Sequence, residues 1–373
     1  MRDLIVAVDI GTGSARAGVF DRSGALLGRS EHPIAMRRPS ADHAEHDSEE
    51  IWRAVCAAVR AACAAAGASA ARVASLGIDA TCSLVVRDRA GKPLAVSGGE
   101  EARWDTIVWL DHRALKEADV CTATEHQVLA HSGRVMSPEM EMPKLMWLKR
   151  HRPEQWAKAG YFFDLADFVT WRATGSNARS RCTMAAKWNY LSHDEKPWSE
   201  SFLKALGLED VRERGSLPET TLAVGDAVGR LTGEAALDLG LDTGCVVAAG
   251  LIDAYAGALG VLGSFAAEPE TLERQLALIG GTSSCIVAFS RESRQVGADH
   301  HHGHVATLDR FRRDRQIELR KHIGQRLPRG AVGGRVAGAG EPSHDPGAEQ
   351  RVVAPALELA EILDTHRVGS RGW

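Results

Sequence analysis

The sequence predicts an α/β fold, and three observations support this class. Near the N-terminus, an apolar hairpin and a third strand precede an amphipathic helix and a buried strand. The stretch from residue 115 to about 208 has a mostly helical pattern. A second hairpin with a glycine-rich turn spans residues 276–290. Strand and helix patterns mixed in this order indicate packed layers of sheet and helix.

Composition narrows the class of partner. The 373 residues include 44% hydrophobic residues and carry a formal charge of -4, which allows a sizeable core and two domains. The charge favours neither nucleic acid nor a membrane, and no stretch reaches the roughly 20 apolar residues of a spanning helix. With no signal-peptide pattern, we expect a cytoplasmic protein that binds a small molecule. The seven scattered cysteines form no CxxC pair, so reduced thiols are expected.

The first strands are predicted at residues 4–8, 15–20 and 25–30. A helix follows, with Asp47 and Glu50 in a capping pattern and an end at Gly67. His43, His46 and Asp47 also raise the alternative of a metal site, but Asp47 already has a capping role. Strands at 72–78 and 84–87 come next, before a turn at 90–93. Three strands, a helix and a strand resemble the ribonuclease-H-like half of actin-like ATPases.

The later elements are predicted from shorter patterns. PKLMWLKRHRPEQW and YFFDLADFVTWRATG indicate amphipathic helices. A strand begins at Cys245 and passes through Gly250 into a helix of small residues, and the second hairpin follows it. Beyond Ser290 the chain is rich in arginine and histidine and poor in aromatic residues, which predicts disorder for most of 291–373.

The turn of the first hairpin combines residue types that suit a phosphate. Gly11 and Gly13 leave backbone N–H groups accessible, and Thr12 and Ser14 add hydroxyl donors. Asp9 would repel a phosphate, so we interpret it as a ligand of Mg²⁺ that binds through water. The sequence thus predicts a site for a metal and a phosphate in one turn.

Other glycine-rich motifs do not fit this turn. A Walker A loop needs GK[ST], and a dinucleotide fingerprint leads into a helix, whereas a strand follows here. An ordinary hairpin with two glycines remains an alternative for this turn alone. The second hairpin repeats the combination with Gly281, Thr282 and Ser283, and two such turns facing each other are how actin-like ATPases bind a triphosphate.

Nine segments together resemble the FGGY family of carbohydrate kinases, and within it the pentulose kinase group that includes D-ribulokinases. The segments are DIGTGSARAG, HAEHDSEEIW, GIDATCSLV, WLDHR, PKLMWLKRH, DLADFVTWRATG, CTMAAKWNYL, AGLIDAYAG and IGGTSSC, and they follow the family's order from residue 4 to about 290. The resemblance implies an actin-like ATPase fold with ATP and Mg²⁺ as cofactors.

The resemblance also implies roles for single residues. Asp253 in AGLIDAYAG corresponds to the family's catalytic base, with a role as a simple helix cap as the alternative. Substrate contacts are implied for Asp111 and Arg113 in WLDHR, Thr81 and Cys82 in DATCS, and Lys187 in AAKW. Each of these five side chains has a surface or interdomain position as its alternative.

The expected organisation is an N-terminal sugar- and phosphate-binding domain at 1–245, the start of a second actin-like domain at 246–290, and an aberrant tail at 291–373. The first domain is then complete and the second incomplete. We expect an ATP-dependent pentulose kinase, with D-ribulose converted to its 5-phosphate, whose activity is impaired by the missing part. The alternatives are a non-catalytic sugar-binding or structural remnant and an actin-like ATPase that uses no sugar. A homodimer is possible.

Overall fold

A computed structural model describes residues 2–98, 101–280 and 284–290, together with the backbone of strands 305–312, 316–320 and 352–355. The strands are β1 (Leu4–Ile10), β2 (Ser14–Phe20), β3 (Leu26–Pro33), β4 (Arg37–Ser40), β5 (His43–Asp47), β6 (Val73–Ala80), β7 (Leu84–Asp88), β8 (Trp104–Ile107), β9 (Ala159–Asp164), β10 (Ala227–Arg230), β11 (Val246–Ala248), β12 (Leu251–Ile252), β13 (Gln275–Gly280), β14 (Ser284–Phe289), β15 (Val305–Arg312), β16 (Gln316–Arg320) and β17 (Val352–Pro355).

The helices are α1 (Ser48–Ala65), α2 (Leu115–Ala123), α3 (Glu141–His151), α4 (Pro153–Lys158), α5 (Leu165–Thr174), α6 (Arg181–Lys187), α7 (Glu200–Ala205), α8 (Val211–Arg214), α9 (Gly233–Leu239), α10 (Asp253–Leu262) and α11 (Pro269–Leu272). Among the described residues, none of these helices has both the length and the apolar character needed to cross a bilayer. Most of 291–373, for which the sequence predicts disorder, lies outside the described residues.

The central sheet has the strand order β3-β2-β1-β6-β11-β10, with β12 also paired to β6. Strands β1, β2 and β3 are antiparallel neighbours, whereas β6 runs parallel to β1. Alternate β1 side chains are buried and pack with the apolar stripe of α1 in one core. The predicted hairpin, third strand, helix and following strand are confirmed. The actin-like order of the first domain is confirmed with them.

Asp47 caps α1 as predicted, because its carboxylate accepts hydrogen bonds from the backbone N–H groups of Glu49 and Glu50. The neighbouring His46 is fully buried, and burial lowers its pKa to about 4. No group of three or more histidine, cysteine or acidic side chains that would hold a metal directly occurs in the part of the chain that the structure describes.

The expectation of a helix through Tyr161–Phe163 is wrong, because these residues belong to β9. Strand β9 pairs antiparallel with β7, and Phe163 lies opposite Val85. Phe162 and Phe163 are both fully buried. Aromatic side chains pack well on a pleated, buried surface, so the tertiary pairing outweighs the local pattern. The predicted helix begins only at Leu165 and ends at Gly175 in a left-handed conformation.

The described residues form two further sheets. The order of one is β4-β5-β8-β7-β9, and the order of the other is β16-β15-β14-β13-β17. The predicted second hairpin is confirmed in β13 and β14, which pair antiparallel from Leu276↔Ala288 to Gly280↔Ser284. A buried cluster that includes Cys82, Cys182 and Tyr255 packs α10 and this hairpin against the first domain.

Candidate active site

The turn between β1 and β2 is closed by its own backbone. The N–H of Gly11 donates to the carbonyl of Ser14 at 3.0 Å, and the carbonyl of Gly13 accepts from Ile34 at 2.9 Å. A Cβ atom at Gly13 would meet nothing within 4 Å, and one at Gly11 would come no closer than 3.6 Å to another atom. Neither glycine has a positive φ. Packing and backbone strain therefore do not explain the two glycines, whereas the approach of a ligand does.

The two hydroxyls of this turn already have protein partners. Thr12 Oγ1 accepts a hydrogen bond from Trp109 Nε1 at 2.9 Å, which leaves its own proton free to be donated. Ser14 is buried, and its hydroxyl hydrogen-bonds Glu31 and lowers the pKa of that carboxyl. Phosphate binding by Thr12 fits this geometry, and phosphate binding by Ser14 stays a prediction.

A cation that the sequence analysis missed lies beside Asp9. Arg16 Nη1 donates to Asp9 Oδ2 at 2.9 Å, and Arg16 Nε lies 3.5 Å from Glu31 Oε1. The pair arises because Asp9 and Arg16 are opposite each other in the β1–β2 register. The guanidinium lies about 4.0 Å from the position of a Gly11 Cβ, so it reaches the phosphate turn. A planar cation with several donors is well suited to phosphate oxygens.

The surroundings of Asp9 fit the predicted magnesium ion. The carboxylate stands at the end of β1 and is 40% exposed, so a hydrated cation can approach it from the solvent. A single accessible carboxylate suits Mg²⁺, which keeps several waters and completes its shell with phosphate oxygens.

The end of β6 brings the predicted sugar residues next to the phosphate turn. The N–H of Thr81 donates to the carbonyl of Ile10 at 2.9 Å. Thr81 Oγ1 lies 3.3 Å from Ser83 Oγ, which in turn accepts from the N–H of Trp109 at 3.1 Å. Thr81 and Cys82 are both buried. Trp109 thus links the phosphate turn, through Thr12, to the end of β6, through Ser83.

Asp111 and Arg113 bind each other. Asp111 Oδ1 accepts from the N–H and Nε of Arg113, and Oδ2 accepts from Arg113 Nη2 at 2.8 Å and from the N–H of Ala44. Arg113 Nη2 also lies 2.9 Å from Glu45, and both side chains are fully buried. Direct sugar binding by Asp111 and Arg113 stays a prediction, since it requires one of these bonds to be exchanged. Their observed contacts fix the loop that carries Trp109 and His112.

Lys187 and His112 meet at Glu139. Lys187 Nζ donates to the main-chain oxygen of Glu139 at 3.3 Å, and His112 Nε2 lies 3.5 Å from the Glu139 carboxylate. The hydrogen bond with Glu139 raises the pKa of His112. Lys187 is fully buried at the end of α6, whereas His112 is half exposed. The sequence analysis missed Glu139 and His112, because their contact joins segments that are far apart in the chain.

Asp253 is the first residue of α10 and follows β12 directly. Strand β12 pairs with β6 through Leu251↔Asp79 and Ile252↔Ala80, so the chain enters α10 beside Thr81. Asp253 Oδ1 accepts from the N–H of Ala254 at 2.7 Å, and Ile252 occupies the N-cap position. The structure therefore brings Asp9, Thr81 and Asp253 to one edge of the sheet. The turn with Gly281, Thr282 and Ser283 lies outside the described residues.

The strand order of the central sheet, with a glycine-rich turn and an acidic residue at one edge, is that of the actin-like ATPase fold, which sugar kinases share. Residues 4–260 match the profile of the FGGY family of carbohydrate kinases, N-terminal domain. This chain belongs to the FGGY family.

Curated relatives give a closer comparison. The chain is 44% identical to an FGGY carbohydrate kinase domain-containing protein of Homo sapiens over 297 residues, which cover 77% of this chain and 53% of that protein. It is 36% identical to a D-ribulokinase of Saccharomyces cerevisiae over 317 residues, which cover 77% of this chain and 44% of the relative. The chain thus spans about half the length of the curated relatives it matches.

Solved structures agree on the fold. A ligand-bound xylulose kinase of Lactobacillus acidophilus superposes with a TM-score of 0.63 at 20% identity, covering 76% of this chain and 53% of that one. A glycerol kinase of Plasmodium falciparum with ADP superposes with a TM-score of 0.56 at 15% identity, covering 70% of this chain and 50% of that one. The fold is therefore that of the actin-like sugar kinases.

Proposed function

We propose that the chain carries the catalytic edge of an ATP-dependent pentulose kinase that converts D-ribulose to D-ribulose 5-phosphate. The observation that carries the proposal is the convergence of Asp9, Thr81 and Asp253 at one edge of the central sheet. The similarity to the yeast D-ribulokinase supports a pentulose substrate.

In this proposal, Asp253 is the general base. Its carboxylate accepts the proton of the terminal sugar hydroxyl, and the oxygen attacks the γ-phosphorus of ATP. The bond from that phosphorus to the bridging oxygen breaks, and ADP leaves with the electron pair. Asp253 is the first residue of α10 and follows β12 directly, which places it beside the end of β6.

The other residues bind and orient. The N–H of Gly11 closes the turn. The backbone N–H groups of Thr12 and Gly13 and the hydroxyl of Thr12 bind phosphate oxygens, with Gly281, Thr282 and Ser283 from the second turn as predicted partners. Arg16 exchanges its bond to Asp9 for a phosphate oxygen. Mg²⁺, when bound beside Asp9 through water, neutralises charge on the phosphates. Trp109 fixes the position of the phosphate turn relative to the end of β6, because it is hydrogen-bonded to both Thr12 and Ser83.

An ATP-coupled assay with D-ribulose, D-xylulose, L-ribulose and ribitol tests the proposal. We expect turnover with D-ribulose and a loss of about 100- to 10,000-fold in kcat for Asp253→Asn, which is the usual contribution of a general base. Asp119→Asn, an exposed aspartate on α2, serves as the matched control and should leave kcat unchanged. Equal turnover in wild type and Asp253→Asn contradicts the assigned base.

The alternative function to test is that of a sugar-binding protein without turnover. Calorimetry with D-ribulose separates the two. Binding heat without ADP formation, in wild type as in Asp253→Asn, supports the non-catalytic function. ATP hydrolysis at a rate that does not depend on the sugar supports an ATPase instead.

A further inference from the structure

His112 is an exposed side chain between two buried ones, in the loop that follows β8. The side chains of Asp111 and Arg113 are 0% exposed, whereas that of His112 is 47% exposed. The N–H of His112 donates to the carbonyl of Asp42 at 2.9 Å. The loop is therefore fixed by its neighbours, and the imidazole of His112 is turned outward.

Glu139 sets the orientation of this imidazole. His112 Nε2 lies 3.5 Å from Glu139 Oε1, and the glutamate side chain is only 15% exposed. The N–H of Glu139 donates to Ser137 Oγ at 3.2 Å, which fixes the backbone that carries the carboxylate. Because Nε2 faces Glu139, the second ring nitrogen, Nδ1, is directed away from it. A half-exposed ion pair at this distance contributes little to stability, so the fold alone does not account for the pair.

The same glutamate joins His112 to a predicted sugar residue. The main-chain oxygen of Glu139 accepts a hydrogen bond from Lys187 Nζ at 3.3 Å. His112 and Lys187 thus contact two parts of one residue, the carboxylate and the backbone. If Lys187 faces the sugar, as the sequence predicts, His112 lies at the same end of the sugar site.

Helix α6 sets the distance between this end and Asp253. Near the start of α6, Cys182 belongs to a buried cluster with Tyr255 of α10, the helix whose first residue is Asp253. At the end of α6, Lys187 reaches Glu139. The seven residues of α6 span about 10 Å. A five-carbon sugar with a hydrogen bond at each end can bridge such a span.

We propose that His112 is a specificity-determining residue that binds the far end of the pentulose, with Nδ1 hydrogen-bonded to the hydroxyl on carbon 1. The inference rests on the proposed function, in which the hydroxyl at the other end of the sugar lies at Asp253. An imidazole nitrogen suits this oxygen, since it accepts from a hydroxyl when neutral and donates to it when protonated. Glu139 is a positioning residue, because it binds Nε2 and so turns Nδ1 toward the sugar.

The test compares D-ribulose with 1-deoxy-D-ribulose, which lacks the hydroxyl on carbon 1, by calorimetry of the full chain without ATP. We expect wild type to bind D-ribulose about five- to tenfold more tightly than the deoxy sugar, the usual contribution of one hydrogen bond. His112→Ala should bind the two sugars equally, because only D-ribulose loses a contact. His112→Asn, whose amide replaces Nδ1, should restore part of the preference, whereas His112→Gln, whose amide replaces Nε2, should not.

His151→Ala is the matched control. The His151 side chain is 48% exposed and its Nε2 lies 3.7 Å from the Glu117 carboxylate, so it resembles His112 in exposure and pairing, but it lies at the end of α3. We expect His151→Ala to keep the wild-type preference for D-ribulose. In the ATP-coupled assay, His112→Ala should raise KM for D-ribulose about five- to tenfold and leave kcat unchanged, since a contact remote from the reacting atoms is the same in the ground and transition states.

The same preference for D-ribulose in His112→Ala as in wild type overturns the proposal, as does its loss in His151→Ala. Equal binding of the two sugars by wild type overturns it as well. Failure of the proposed function gives a different result. Wild type that binds D-ribulose with the expected preference but forms no ADP contradicts the proposed kinase, while the role of His112 in binding stands.

Discussion

At the scale of single residues, the glycines of the phosphate turn differ from glycines that serve packing. A Cβ at Gly28 would lie 2.6 Å from the N atom of Ala66 and 2.7 Å from the carbonyl oxygen of Ala62, so only glycine lets β3 approach α1. The space around Gly13 is open by comparison. This contrast separates a glycine required by the fold from one explained by a ligand.

Gly13→Ala should leave stability unchanged within about 0.5 kcal/mol but weaken nucleotide binding, since the new methyl group occupies the space a phosphate needs. Gly28→Ala should lower the free energy of unfolding by about 1–3 kcal/mol. Urea unfolding and fluorescent-nucleotide binding measure the two effects. Full nucleotide affinity in Gly13→Ala contradicts the assigned phosphate turn.

A second prediction concerns Asp105, a fully buried carboxylate on β8. Burial raises its pKa from 3.8 to about 6, although Arg87 and Ser48 oppose the rise. The folded state therefore binds this proton more tightly than the unfolded state. The stabilisation is complete below about pH 4 and is lost as the pH rises through about 6.

Asp105→Asn should remove about 2 kcal/mol from the fall in unfolding free energy between pH 4 and pH 6.5. Arg87 keeps Glu49 as a partner at 2.9 Å, so the variant retains a paired cation. Burial also raises the pKa of Asp167 to about 6, so part of the fall in unfolding free energy remains in the variant. The fall in the variant is therefore compared with the fall in wild type. Urea unfolding at both pH values measures it. If the unfolding free energy falls as much in Asp105→Asn as in wild type between the two pH values, Asp105 is not the source of this pH dependence. Asp119→Asn is the control.

At the scale of elements, Trp109 connects two parts of the site that are distant in sequence. Its indole N–H reaches Thr12 in the β1–β2 turn, and its backbone N–H reaches Ser83 after β6. We infer that the β1–β2 turn and the end of β6 keep a fixed separation, because both are hydrogen-bonded to Trp109.

Trp109→Phe keeps an aromatic ring but removes the indole donor. We expect nucleotide affinity to fall by about fivefold, since a neutral hydrogen bond contributes about 1 kcal/mol. Trp156→Phe is the control, because it removes a similar bond, to Asp210 at 2.9 Å, away from the turn. Equal nucleotide affinity in both variants contradicts the link.

The features that the sequence predicts correctly are those set by neighbouring residues in the chain. The Asp47 cap and the Gly175 end are read from neighbouring residues, and both are confirmed. Arg16 was missed because its importance comes from lying opposite Asp9, although the predicted hairpin implies that register. Glu139 and Trp109 make contacts across dozens of residues, which no local pattern reveals. Strand β9 was misread because its neighbour β7 decides its conformation.

At the scale of the whole molecule, a third apolar cluster joins α10 and the β13–β14 hairpin to the elements that precede them. Tyr255 of α10 lies in this cluster with Cys82 and Cys182, and its hydroxyl is buried without a hydrogen-bond partner among the described residues. Burial raises the pKa of Tyr255 well above its usual value, so the group is neutral. The ring, rather than the hydroxyl, holds α10 in place.

Tyr255→Phe should leave the free energy of unfolding unchanged or raise it by about 1 kcal/mol, because it removes an unsatisfied hydroxyl. Tyr255→Ala should lower it by about 3–5 kcal/mol, because it leaves a large cavity. Chemical denaturation measures both values. A large loss in Tyr255→Phe shows that the hydroxyl has a partner and contradicts the assignment to packing alone.

Cys82 combines a predicted role in substrate binding with an observed role in packing. The residue is a predicted substrate contact, and it also belongs to the buried cluster that packs against α10. A larger or more polar side chain there, selected for a different sugar, would also displace the helix that carries Asp253. We therefore expect that a substitution at Cys82 that changes the sugar preference also needs a compensating substitution at Cys182 or Tyr255.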